Sequence, residues 1–178
     1  MKSVTLLRHA KSSWDDPVDR DFDRPLNDKG RRAAVTMGTH MHEKGLAWDQ
    51  VISSPAIRVI ETLDGVEEGY GSRLRPEFDK RIYMAAAVTL LDIIHDADPD
   101  AGRIMLAGHN PGLEDLIFLL TPSDGSEYRR IVDVKYPTAT LSEMHFDVDA
   151  WSSIERGGGK LVSLVRPRDL DPELGPDG

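Results

Sequence analysis

Three short apolar runs in this chain each give way at once to polar residues and then to a helix-forming stretch, and this repetition restricts the fold more than any other feature. Val4-Thr5-Leu6-Leu7 runs into Arg8-His9, Gln50-Val51-Ile52-Ser53 into Ser54-Pro55, and Arg103-Ile104-Met105-Leu106-Ala107-Gly108 into His109-Asn110-Pro111. Strand followed by helix at this regularity predicts an α/β fold, three-layer α/β/α, with a mixed, mainly parallel sheet. In such sheets ligands sit beyond the carboxyl ends of the strands. The residues just after each run, two histidines among them, are therefore the first candidates for a site.

The punctuation between the runs supports this reading. Ser54 and Asn110 suit helix N-caps, with Pro55 and Pro111 at the first helical position. A helix N-terminus offers unpaired N–H groups and a partial positive charge, and Arg8 and Arg58 add forked donors that match phosphate oxygens. Strands are expected at 2–8, 50–53, 73–76, 103–108, 138–146 and 160–165, the last two as an antiparallel hairpin at the sheet edge. Helices are expected at about 27–44, stopped by Gly45, at 55–68, at 85–97, and through Leu113, Leu116, Ile117 and Leu120. Residues 1–166 read as a single domain. Residues 167–178 hold few apolar groups to offset the entropy of ordering and read as a mobile tail.

Charge and composition exclude several classes. With 22 basic and 31 acidic residues the formal charge is −9, which argues against general affinity for nucleic acid or an anionic membrane. There are no cysteines, hence no disulfide or thiolate chemistry. The N-terminal apolar run is too short for a signal-peptide core, and no stretch approaches the roughly 18 apolar residues of a membrane span, so a cytoplasmic location is the expectation. His40, His42, His95 and His145 lack zinc-site spacing. Asp19, Asp21 and Asp23 alternate like the opening of a calcium loop, but Arg24 stands where that loop needs glycine and Gly30 where it needs glutamate. These aspartates read as solvated loop charges or a rim that repels wrong anions. No metal and no cofactor is expected.

Leu-Leu-Arg-His-Ala (6–10), Arg-Pro-Leu-Asn-Asp-Lys-Gly (24–30), Ser-Ser-Pro-Ala-Ile-Arg (53–58) and Gly-His-Asn-Pro-Gly (108–112) together resemble the histidine phosphatase superfamily, with its phosphoglycerate mutase-like fold. The likeness is closest to the small bacterial phosphohistidine phosphatase branch of the SixA type, and it spans about residues 2–166. The resemblance implies a metal-independent phosphatase. His9 would attack phosphorus and carry a phosphohistidine intermediate, and Arg8, Arg58 and His109 would hold the phosphoryl group. Arg24 matches the recurring Arg-Pro-Leu of that branch and is expected at the pocket edge, Trp14 is expected near His9 from the position of its loop, and Asn110 and Ser12 are further candidates for the phosphate or substrate pocket.

Many members of the family that act on phosphate esters carry a carboxylic acid three residues before a tyrosine. Aligning that tyrosine with Tyr83 puts Lys80 at the acid position, and Asp79 is one residue out of register. This departure disfavours ordinary alkyl phosphates, whose alkoxide leaves poorly without a proton, and favours phosphohistidine on a partner protein. A small phosphorylated metabolite is the alternative substrate, and a catalytically weak phosphate-binding regulatory module is the alternative class. Oligomeric state is left open, with a monomer preferred.

Overall fold

The apolar runs become strands because both faces of each are covered. In β1 (Lys2–Arg8), Val4 and Leu6 join one buried cluster while Leu7 joins another. Alternate side chains of a strand point to opposite faces, so a strand buried on both sides needs an unbroken apolar run rather than an alternating one. The computed structural model describes residues 1–176. After β1 the chain forms α1 (Asp28–Glu43), β2 (Gln50–Ser53), α2 (Ile57–Tyr70), β3 (Glu77–Phe78), α3 (Ala87–His95) and β4 (Arg103–Gly108). It continues through α4 (Gly112–Leu120), α5 (Glu127–Val134), β5 (Leu141–Phe146), β6 (Gly159–Val165) and the short α6 (Pro167–Leu170).

The six strands lie in the order β3-β2-β4-β1-β5-β6. The first four are parallel, and β5 and β6 add the antiparallel edge that the hairpin reading called for. One face is packed by α1 and α2 through Ala34, Met37, Val59 and Leu63, the other by α3, α4 and α5 through Leu90, Ile94, Leu116 and Val132. This is the mixed, three-layer α/β/α fold of the phosphoglycerate mutase type. No helix among the described residues is long and apolar enough to cross a membrane.

This strand order sets up the site. β4 lies between β1 and β2, with Arg8 opposite Gly108 and Ser53 opposite Ala107. The segments leaving these three strands therefore emerge side by side at one end of the sheet, although they are distant in sequence. The loop after β1 is held close by α1, whose N-cap Asn27 accepts a 2.8 Å bond from Gly30 N–H. A Cβ on Gly30 would stand 2.1 Å from the carbonyl oxygen of Lys11, so only glycine allows α1 to lean on that loop.

Several local expectations need correction. The third strand is at 77–78, not 73–76, because Arg75 has φ of 55° and Pro76 has no N–H to give to a ladder. Neither Ser54 nor Asn110 is the N-cap residue itself. The helices begin at Ile57 and Gly112, and the two side chains accept bonds from Ala56 N–H (3.2 Å) and Glu114 N–H (3.3 Å) from just upstream. Helix α5 was not expected, since Ile131-Val132-Asp133-Val134 is rich in β-branched residues. Ser126 caps it by accepting from Arg129 N–H.

The segment expected to be a mobile tail instead folds back on α1. It forms α6 and a 3-10 turn at Pro172–Leu174, with Leu174 fully buried against the α1 side of the sheet. Asp177 and Gly178, the end of that expected tail, lie outside the described residues. Replacing a fully buried leucine removes its transfer energy and leaves a cavity, so Leu174→Ala should lower stability in urea unfolding by about 2–4 kcal/mol. A loss below about 0.5 kcal/mol, the range of an exposed position, would show that the segment does not pack.

Candidate active site

The strand ends enclose a cleft of about 270 Å³ lined by Arg8, His9, Lys11, Ser12, Trp14, Arg24, Arg58, Met84, Asn110 and Thr138. All the site residues expected from the sequence line it except His109, which lies just behind, its ring centroid 5.4 Å from that of His9. The main chain of His9 is held from both sides. Its N–H donates to Gly108 O (3.0 Å) at the end of β4, and its carbonyl accepts from Ala139 N–H (3.0 Å). Thr62 of α2 ties down the next residue, accepting from Ala10 N–H at 2.8 Å.

The proton on His9 has one possible place. Nδ1 lies 2.7 Å from the carbonyl oxygen of Ala10, and a carbonyl can only accept, so Nδ1 carries the hydrogen and Nε2 keeps its lone pair. The ring is neutral, with its pKa lowered from 6.5 to about 3. Burial is the largest cause, reinforced by Arg8, His109 and Arg58 against the opposing bond to Ala10. The pKa of His109 is likewise lowered to about 3, first by burial and then by Arg58.

Three guanidiniums surround the same space. Arg8 Nη1 donates to Tyr136 O (2.9 Å), an oxygen that also accepts from Asn110 Nδ2 (2.9 Å). Arg58, 2% exposed, grips Asp21 twice: Nη1 donates to its main-chain oxygen (2.9 Å) and Nη2 to Oδ2 (3.0 Å). Arg24 donates to the other oxygen, Oδ1, from Nη2 (3.0 Å) and Nε (3.2 Å), and its Nη1 is bonded to Ser12 Oγ. Trp14 is 80% exposed, and its ring lies 3.8 Å from the Arg24 guanidinium carbon. The buried Nε of Arg58 has no hydrogen-bond partner. A buried donor left unpaired costs about 1–3 kcal/mol, which an anion in the cleft would recover.

Asp21 is the residue that the sequence did not single out. Its carboxylate serves Arg24, Arg58 and the hydroxyl of Tyr83, which donates to Oδ2 at 2.8 Å. Although partial burial raises its pKa, these bonds outweigh that and hold it at about 2. One signal was present, the alternation of aspartates at 19, 21 and 23, but its spacing also suits solvated loop charges. Lys11, Met84 and Thr138 were also missed. Met84 and Ala139, which flank the cleft, have φ of 52° and 58°, a left-handed conformation that costs a non-glycine residue about 1–2 kcal/mol. Neither Lys80 nor Asp79 lines the cleft, and Asp79 is occupied by Arg81, which donates from Nη2 at 2.7 Å. Among the described residues no group of three potential ligands is placed to hold a metal ion.

Residues 4–83 carry the sequence profile of the histidine phosphatase superfamily, branch 1. An "uncharacterized protein, chloroplastic" of Arabidopsis thaliana is 30% identical over 93% of this chain and 78% of its own length. The chain belongs to the histidine phosphatase superfamily. Among solved structures it is similar to a "putative phosphohistidine phosphatase SixA" from Agrobacterium tumefaciens, with 26% identity, a TM-score of 0.75, and coverage of 93% of this chain and 98% of that one. It shares its fold with the "protein histidine phosphatase SixA complexed with tungstate" (18% identity, TM-score 0.77, 95% and 99% coverage). Membership of the superfamily and the 26%-identical SixA-type neighbour support a phosphatase.

The two buried imidazoles couple stability to pH. Between pH 6.5 and about 3 an unfolded chain binds protons at both that the folded chain refuses, so stability falls as pH is lowered through this window. Each contributes a slope of up to about 1.4 kcal/mol per pH unit. Urea unfolding measured from pH 7 to pH 5 should show this decline, and His109→Gln should make it shallower by about that amount. Equal slopes in the two proteins would contradict a neutral buried His109.

Proposed function

We propose that this histidine phosphatase is metal-independent, that His9 Nε2 is its nucleophile, and that it removes phosphate from phosphohistidine in a partner protein. The supporting observation is the tautomer of His9. With Nδ1–H committed to Ala10 O, the lone pair on Nε2 is the ring's only nucleophilic atom, and the ring lines the cleft that Arg8, Arg24 and Arg58 surround. In the first step Nε2 forms a bond to phosphorus as the substrate's P–N bond breaks, its electron pair leaving with the substrate imidazole. In the second, water attacks phosphorus and the bond to Nε2 breaks, returning the electron pair to His9 and releasing inorganic phosphate.

The guanidiniums act by position and charge. Phosphoryl transfer loads negative charge on the three equatorial oxygens, and donors already fixed around them need no reorganisation as that charge develops. Arg58 is the best fixed, since Asp21 holds both its terminal nitrogens while Nε remains free to donate. Arg8, Arg58 and His109 are the groups proposed to hold the phosphoryl group. Arg24, Ser12, Trp14 and Asn110 shape the mouth where the leaving group sits.

The choice of substrate rests on the missing acid. No carboxylate is among the described residues that line the cleft, and Asp21, which is bonded to two of its arginines, stays ionised with a pKa of about 2. An alkoxide would leave unassisted. Imidazole needs less help, because its conjugate acid has a pKa of about 6.5 and it departs as a neutral molecule once protonated on its remote nitrogen.

Two measurements test this reading. His9→Ala should lower turnover of phosphoramidate, and of phosphohistidine in a small carrier protein, by about 10⁴-fold or more, as loss of a covalent nucleophile does elsewhere. Radioactive phosphate should be trapped on His9 in an acid-labile, alkali-stable form. Turnover by His9→Ala within tenfold of the native protein would remove the nucleophile assignment. A strong preference for one alkyl phosphate across a metabolite panel would leave the nucleophile in place and overturn the substrate.

A further inference from the structure

Behind the cleft, three buried polar side chains from three separate segments form a chain whose proton positions follow from donor and acceptor chemistry. His109, 3% exposed, follows β4; Ser54, fully buried, follows β2; Arg58 belongs to α2. Arg58 Nη2 lies 3.3 Å from His109 Nδ1. A guanidinium only donates, so Nδ1 must offer a lone pair, and the single proton of the neutral ring sits on Nε2. Nε2 lies 2.8 Å from Ser54 Oγ, which also accepts from Ala56 N–H at 3.2 Å. Both lone pairs of the hydroxyl are thereby engaged as acceptors.

We propose that Ser54 is a positioning residue of this phosphatase: its hydroxyl accepts from His109 Nε2–H and orients the ring, so that Nδ1, kept bare by Arg58, stands as a proton acceptor at the phosphoryl pocket. A hydroxyl can also donate its hydrogen to a bare Nε2 while still accepting from Ala56 N–H, so it is Arg58 that selects the tautomer, and Ser54 supplies the acceptor that keeps the Nε2–H paired. The inference deepens the phosphatase reading and rests on it for its catalytic consequence. An oxyanion that draws the Arg58 donor to itself leaves Nδ1 facing an oxygen with no hydrogen between them. That contact becomes favourable when Nδ1 gains a proton, either from a phosphoryl O–H or from solvent. Anion binding is thus coupled to proton uptake by His109, with Ser54 still accepting from Nε2–H in the resulting imidazolium.

The charges that face His109 set how far this coupling goes. Arg58, Arg8 and Arg24 oppose a positive ring and Asp21 favours it. The ring centroids of His9 and Tyr83 lie 5.4 Å and 5.3 Å from that of His109, both rings uncharged in this state. A bound dianion adds negative charge to the same space, and that addition moves the balance toward the imidazolium.

Long-range proton–nitrogen spectra of the full chain, with His109 assigned through His109→Gln, read the tautomer directly. The native protein should show Nε2–H and an unprotonated Nδ1 without anion, and uptake of about one proton on saturation with tungstate or inorganic phosphate, measured by calorimetry in buffers of different ionisation enthalpy. Ser54→Ala should leave the Nε2–H tautomer, which Arg58 sets, but reduce kcat on phosphoramidate by about tenfold and move the pH profile of kcat toward acid, because the imidazolium loses its acceptor. Nδ1–H on His109 in the native protein overturns the proposal, as does a Ser54→Ala protein with unchanged kcat and pH profile. If Ser54→Ala does not fold, the native tautomer and the proton uptake still decide. Failure of the phosphatase reading looks different: phosphoramidate turnover would be absent or would survive His9→Ala, while the His109 tautomer stayed as described.

Discussion

One carboxylate holds two guanidiniums at this site, and the geometry of the cleft follows from it. Three arginines converge on one small space, and like charges a few ångströms apart in a partly buried setting repel by several kcal/mol unless a counter-charge is fixed among them. Asp21 supplies that charge, dividing its two oxygens between Arg24 and Arg58 and using its main-chain carbonyl as a third grip. The pairing also chooses which donors remain for a ligand. Because the terminal nitrogens of Arg58 are committed, its Nε edge is left without a partner. The site is a preset arrangement of donors whose largest unmet demand is an anion.

The same field explains why the histidines are neutral. A protonated imidazole beside Arg8 and Arg58 would be repelled as well as desolvated, so both rings keep one nitrogen bare. For His9 a backbone carbonyl decides which nitrogen that is, and for His109 a guanidinium decides it from the opposite side. Two identical side chains at adjacent strand ends are thereby given opposite tautomers by the groups their Nδ1 atoms meet. The proposed mechanism draws its nucleophile from one and its proton acceptor from the other.

Much of this was legible in the sequence because the sheet buries both faces of its central strands. Unbroken apolar runs marked β1, β2 and β4, and the polar residues that ended them had to fall at the strand termini, which put Arg8, His9, Arg58 and His109 on one edge. The contribution of the 11–28 loop was not legible. Asp21 lies in a stretch whose charges have no periodicity to set one apart, and its role comes from distant partners in α2 and before α3. Helix α5 was hidden by β-branched residues that suit a strand, and packing of Val132 and Tyr136 against the sheet overrides that preference. Residues 167–174 bury Pro167 and Leu174 alone, too little apolar signal to distinguish a docked segment from a loose one.

Tyr136 lies outside the cleft, yet its carbonyl oxygen orients two of the cleft's polar residues, Arg8 and Asn110. Its buried hydroxyl donates to main-chain oxygen or shares a hydrogen with Ser142 at 2.8 Å, anchoring the ring in the layer beneath β1 and β5. The next residue is Pro137, which confines Tyr136 to extended backbone and so fixes the direction of that carbonyl. The connection between α5 and β5 therefore works as a rigid strut rather than a slack linker. Lengthening or shortening it by one residue would swing both side chains out of register together.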